Sequence, residues 1–181
     1  MTLILIGLAL WAGAHFWRRV APEHRAGFGD KGKGLVTLAL FAAIILMVLG
    51  YRMADGVVYW GRSSALVGVN NLLMLFAFYL FAASGKGTRI TRFIRHPQLT
   101  AILVWATAHL LVNGDVPSFV LFGGMAIWAL AEIATINRAQ GPRHAYHAPP
   151  IKSEIIAVVA TVVVTIVVMM IHYFLGVTPW G

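Results

Sequence analysis

The chain of 181 residues has no cysteine, which excludes a disulfide framework and thiolate ligation of a metal and leaves the redox compartment unreadable by that route. Charge is scarce too: 11% of residues are charged and 60% are hydrophobic, against roughly 25% and 45–50% in a soluble domain. That balance belongs to an integral membrane protein. Acidic residues are the rarest charges, six against 14 Lys and Arg. A basic excess can signal nucleic acid, but here the charges sit in short loops between apolar runs, where they set membrane orientation. No nucleic-acid partner is expected, and the lipid bilayer is. A linker long enough to separate two folding units is also missing, so residues 1–181 read as one domain.

What the chain has instead is six apolar runs. The first covers residues 3–17, and the charges follow it rather than precede it, against the order of a cleaved signal peptide. The second and third cover residues 34–51 and 64–83, of about the right length for a hydrocarbon core of roughly 30 Å. The glycines at 27, 29, 32 and 34 mark the first connection as irregular. The fourth run follows Arg95-His96-Pro97, where a proline suits the first turn of a helix, and ends at Asn113-Gly114-Asp115. The fifth and sixth cover residues 118–137 and 155–175. The expected fold class is all-α: a polytopic membrane protein built as a six-helix transmembrane bundle.

Lys and Arg number five, two, four, none and three in the five loops in chain order. The odd loops should therefore face the cytoplasm and both termini the other side.

Two of the runs carry one pattern. Trp11-Ala-Gly-Ala-His15 in the first and Trp105-Ala-Thr-Ala-His109 in the fourth each place a histidine one helical turn after a tryptophan, with small residues clearing the helix surface between them. An ionisable side chain at membrane depth is costly unless paired or ligated, and imidazole is the commonest metal ligand among side chains. The reading is a haem iron held between His15 and His109. Helices one and four run in opposite directions, as in an inverted repeat. At a rise of about 1.5 Å per residue the two α-carbons stand roughly 9 Å apart along the membrane normal. Either tilted helices bring both imidazoles to one iron, or one histidine only orients the other, or His172 replaces one of them. His172, beside Tyr173 at the outer end of the last run, otherwise reads as an interfacial histidine.

The stretch from Trp105 to Asp115, preceded by Arg95-His96-Pro97 and followed by Leu121-Phe-Gly-Gly-Met-Ala-Ile-Trp-Ala129, resembles the NnrU family of bacterial membrane proteins. His15 after its small residues and the second run entered through Lys33-Gly-Leu-Val-Thr-Leu extend the resemblance over nearly the whole chain. It implies a multi-pass protein of the bacterial inner membrane, which the loop charges would orient with both termini periplasmic. The family is named for an association with nitrite and nitric oxide reduction. Its better understood relative, the plant cis-zeta-carotene isomerase, is a haem b membrane enzyme that isomerises a polyene double bond without net redox change. The resemblance thus implies haem b ligated at His15 and His109, with a lipophilic polyene or nitric oxide as the small-molecule partner. The isomerase has a cysteine three residues before its second histidine, where this chain has Ala106, so exchange with that thiol is not open to it.

Depth suggests supporting residues. Glu132 would accept the second N–H of His15, and Asn70 or Asn71 that of His109, fixing ring orientation. Trp105 would flank the cofactor. Arg89, Arg92 and Arg95 recur every third residue and would share a face if helical; Arg95 and His96, next to the helix start, are the candidates for haem propionates. Two other classes of function stay open. Arg95-His96-Pro97, Glu132 and the loop around Tyr146 also resemble membrane methyltransferases that use S-adenosylmethionine, although those carry a pair of glutamates. A non-catalytic assembly or sensor protein for respiratory reductases is the third. Ser84-Gly-Lys-Gly-Thr88 echoes a phosphate loop without its spacing or a preceding strand, and His144 with His147 reads as a solvated pair.

Overall fold

The computed structural model describes residues 1–142 and 147–179. Long stretches with Pro only in the first turn and with little polar interruption form the helices α1 (Thr2–Val20), α3 (Lys31–Met53), α4 (Ser64–Lys86), α5 (Pro97–Val112), α6 (Val116–Gln140) and α7 (Ile151–Phe174). A short α2 (Pro22–Gly27) and a two-stranded pairing of β1 (Val58–Trp60) with β2 (Gly114–Asp115) complete the described elements with one 3-10 turn at Arg89–Arg92. The fold is all-α, as expected. Five of the helices, α1, α3, α4, α6 and α7, are long and apolar enough to cross a membrane.

The sixth expected span, α5, differs in length. Its 16 residues measure about 24 Å at a rise of ~1.5 Å per residue, short of a hydrocarbon core of roughly 30 Å. Pro97 fixes its start, and its end comes where the chain turns into β2. The Trp60 indole N–H donates to the Leu110 carbonyl at 3.0 Å, so one of the last-turn acceptors of α5 is satisfied by a side chain fifty residues away.

The chain divides into two compact units: Met1–Tyr59 with Gly114–Trp128, and Trp60–Asn113 with Ala129–Gly181. The continuous helix α6 supplies residues to both, and for that reason no linker is visible in the sequence.

In the first unit α1 packs along α3. The approach is close because glycine sits at the contact: a Cβ on Gly50 would lie 2.7 Å from the Ile4 backbone nitrogen, and one on Gly7 2.6 Å from Met47 Cγ. Small residues play this part wherever lipid tails remove the usual hydrophobic drive between helices. Asp115 caps α6 by accepting the Ser118 N–H at 2.8 Å, and the Ser118 hydroxyl in turn meets the Tyr51 hydroxyl at 2.8 Å. The first connection is more ordered than its glycines suggest. Trp17 donates through its indole N–H to His24 Nδ1 at 3.0 Å, and Arg25 lies over the Trp17 ring.

In the second unit α4 is the central element, packed on both α5 and α7. Ala77, Leu80, Ala83, Ala101 and Ala108 are wholly buried. The Ser84–Thr88 stretch is the end of α4, where Gly87 adopts a left-handed conformation with φ of 62° that closes the helix, and Thr88 beyond it is fully buried.

Candidate functional site

The two Trp-x3-His motifs lie in different units, His15 and Trp11 in the first and His109 and Trp105 in the second. Each repeats the same local geometry. His15 Nδ1 stands 2.9 Å from the Trp11 carbonyl, and His109 Nδ1 2.9 Å from the Trp105 carbonyl. A carbonyl only accepts, so the proton is on Nδ1 in both rings, and Nε2 is the nitrogen with the lone pair. A proton held on one ring nitrogen by a backbone carbonyl is how ligating histidines are commonly oriented. The tryptophan of each motif leans on its histidine, with ring centroids 4.6 Å apart in the first and 5.1 Å in the second.

Around His15 the first unit adds a residue that sequence reasoning passed over. Trp128 of α6 packs against His15 with centroids 4.6 Å apart and against Trp11 edge-on at 5.4 Å. The Nε1 atoms of Trp11 and Trp128 are buried and have no hydrogen-bond partner among the described residues. Two orphaned indole donors beside one imidazole are unusual, because a buried polar group without a partner costs about 1–3 kcal/mol. An open apolar groove of about 370 Å³ between α1 and α3 is lined by Gly13, Ala14, Trp17 and Leu35 among others. At about 100° per residue, it lies on the other side of α1 from His15.

The small residues of the second motif act differently from expectation. Ala106 and Ala108 are buried, at 1% and 0% exposure, so they let α5 pack closely within its unit instead of clearing a surface beside His109. Gly13 in the first motif does leave open space, with nothing within 4 Å of where its Cβ would stand.

The other expected site residues all fall in the second unit. Glu132 is buried, at 3% exposure. Asn70 is half-buried and donates through Nδ2 to the neighbouring Asn71 Oδ1 at 3.2 Å; at His109 the Nδ1 partner is the Trp105 carbonyl. His96 is the residue that caps the start of α5, and its Nε2 lies 2.8 Å from Asn137 Oδ1 on α6. Arg95 is half-buried just before it. Arg89 and Arg92 lie in the 3-10 turn, where a three-residue spacing aligns side chains, but the turn ends at Arg92 and Arg95 does not continue its face. His144 of the fifth-loop pair lies outside the described residues.

A polar knot absent from the sequence reading ties three elements together. Glu154 near the start of α7 accepts from the Tyr79 hydroxyl of α4 at 2.9 Å and from the Arg89 N–H that opens the 3-10 turn. Only the position of a lone acid in the first turn of a helix could have signalled it.

Among the described residues no group of three or more His, Cys, Asp or Glu side chains gathers as a metal site. A tetrahedral centre built from protein ligands alone needs about three or four of them. Haem brings its own equatorial nitrogens and asks the protein only for axial ligands, so imidazoles with Nδ1 protonated and Nε2 basic fit it.

Over residues 3–179 the chain matches the family model described as NnrU protein. No curated protein and no solved structure matches it.

Proposed function

The chain belongs to the NnrU family, and from that premise we propose that it binds haem b in the membrane, with His15 and His109 as the axial ligands. The observation that carries the reading is the pair of Nδ1 contacts to the Trp11 and Trp105 carbonyls, each 2.9 Å. They hold one tautomer in both rings and aim a basic Nε2 away from the parent helix, which is the preparation an iron ligand needs. Bound there, haem b supplies an iron suited either to cis–trans isomerisation of a zeta-carotene-like polyene or to nitric oxide chemistry in denitrification. The protein's own part is binding and access. Trp11, Trp105 and Trp128 pack against or beside the imidazoles, and the lipid-exposed helices let an apolar substrate arrive from the bilayer. Arg95 and His96 are offered as propionate partners, and Glu132 and Asn70 as polar groups lining the site.

The test is the oxidised and reduced absorption spectrum of the detergent-purified protein with pyridine haemochrome quantification, beside His109→Ala. Near-stoichiometric haem b in the wild type, lost or turned high-spin in the variant, supports the reading. A wild type that stays colourless after expression with ample haem overturns it. In that case S-adenosylmethionine binding becomes the assay, with Arg95, His96 and Glu132 as the residues to vary.

A further inference from the structure

The second unit contains another histidine prepared as His15 and His109 are. His172 Nδ1 stands 2.8 Å from the Val168 carbonyl, one turn back on α7, so its proton too is on Nδ1 and its lone pair on Nε2. Most of α7 is exposed apolar surface, including Val163, Ile166, Val167 and Ile171. Along one side of it Ala157 and Thr161 are buried, and Thr165, Val168 and His172 are half-buried. At about 100° per residue all five fall within one quarter of the helix. His172 therefore belongs to the face that packs within the unit, whereas its neighbours Tyr173 and Phe174 are exposed.

Position along the helices agrees. α5 and α7 are separated by one helix and both pack on α4. Both start beside the end of α4, α5 after the 3-10 turn and α7 at Glu154, which bonds Tyr79 and the Arg89 N–H, so both run back along α4 and carry His109 and His172 in their last turns, close to Val112 and Phe174. The hydroxyls of Thr161 and Thr165 are turned back on the α7 carbonyls of Ala157 and Thr161 at 2.7 Å each. Neither threonine therefore spends its hydroxyl proton on His172.

We propose that His172 would serve with His109, from within the same unit, as a second imidazole ligand for a haem iron bound there. The inference rests on the haem reading and deepens it: the second unit by itself holds two imidazoles that would ligate the iron, so ligation there would not depend on His15. Filling the position exchanges one neutral imidazole nitrogen for another, so no proton or electron is gained or lost.

The experiment uses the full chain, purified with haem, as wild type, His15→Ala, His172→Ala and the double variant. Each is read by haem content and by the low-spin signal in the electron paramagnetic resonance and near-infrared magnetic circular dichroism spectra of the ferric protein. The low-spin bis-imidazole signature should persist in His15→Ala and be lost in the double variant. Where the double variant folds poorly, His172→Gly in the His15→Ala background is treated with imidazole, and return of the low-spin signal again supports the proposal. Loss of the signature in His15→Ala alone, with haem still bound, overturns it while leaving the haem reading intact. A wild type without haem overturns the parent reading.

Discussion

At the scale of single residues, the conserved-looking feature within this chain is a rotamer and a proton. Three histidines sit in apolar helices, and each gives its Nδ1 proton to the carbonyl four residues earlier. An imidazole at membrane depth is thereby half satisfied by its own helix. The tryptophans beside His15 present the opposite situation, donors with no acceptor among the described residues. Replacing a donor that has no partner removes a desolvation penalty, which offsets part of the volume lost. Trp128→Phe should therefore cost the haem-free protein less than ~1 kcal/mol, well under the roughly 3–5 kcal/mol of a large-to-small core truncation. Thermal unfolding of the haem-free protein in detergent checks this, and a loss of several kcal/mol would mean the indole N–H has a partner after all.

Among the elements, packing depends on where glycine is placed. Gly50 and Gly13 look alike in sequence, each inside an apolar helix, yet a Cβ on Gly50 would run into the Ile4 backbone nitrogen whereas one on Gly13 meets nothing. Backbone cannot swing away as a side chain can. Gly50→Ala should destabilise by about 1–3 kcal/mol, and Gly13→Ala should be neutral or gain up to ~1 kcal/mol from helix propensity; parallel denaturation of the two variants decides it. Glu154 is the corresponding polar case. Its carboxylate accepts from both Tyr79 and the Arg89 N–H, so Glu154→Ala removes the acceptor of both, with the Thr88 hydroxyl at 3.3 Å left to Tyr79, and should cost about 1–3 kcal/mol, against about 0.5–1.5 kcal/mol for Tyr79→Phe. Equal losses in the two variants would argue that the Arg89 contact contributes nothing.

For the whole molecule, the unsettled quantity with the simplest test is orientation. Basic residues concentrate in the loops before α3, before α5 and before α7, from which the cytoplasmic side is expected for those loops. The lack of cysteine makes the chain a clean background for single thiols. Gly27 and Gly61 both have open space where a side chain would go. In intact spheroplasts an impermeant maleimide should label Gly61→Cys at once, and Gly27→Cys only after permeabilisation. The reverse pattern inverts the topology.

Composition alone made this a membrane protein, because burying so few charges and so many apolar residues leaves lipid as the only compatible solvent. Hydropathy also located every long helix, since a spanning helix must satisfy its backbone internally and so appears as a continuous run. The Trp-x3-His pair was legible for the same local reason: a spacing of four is one turn of the helix that hydropathy had already established. Tertiary structure decided which face of each helix meets protein. In α7 valine and isoleucine surround the axis, and lipid tails are as apolar as a helix neighbour, so no polar face betrays the buried one. Thus the packed position of His172, the closure of Trp128 on His15 and the bond from Glu154 to a turn 65 residues earlier came only with the fold. The bond from the Trp60 indole to the Leu110 carbonyl did as well, a meeting of distant residues that no local pattern encodes.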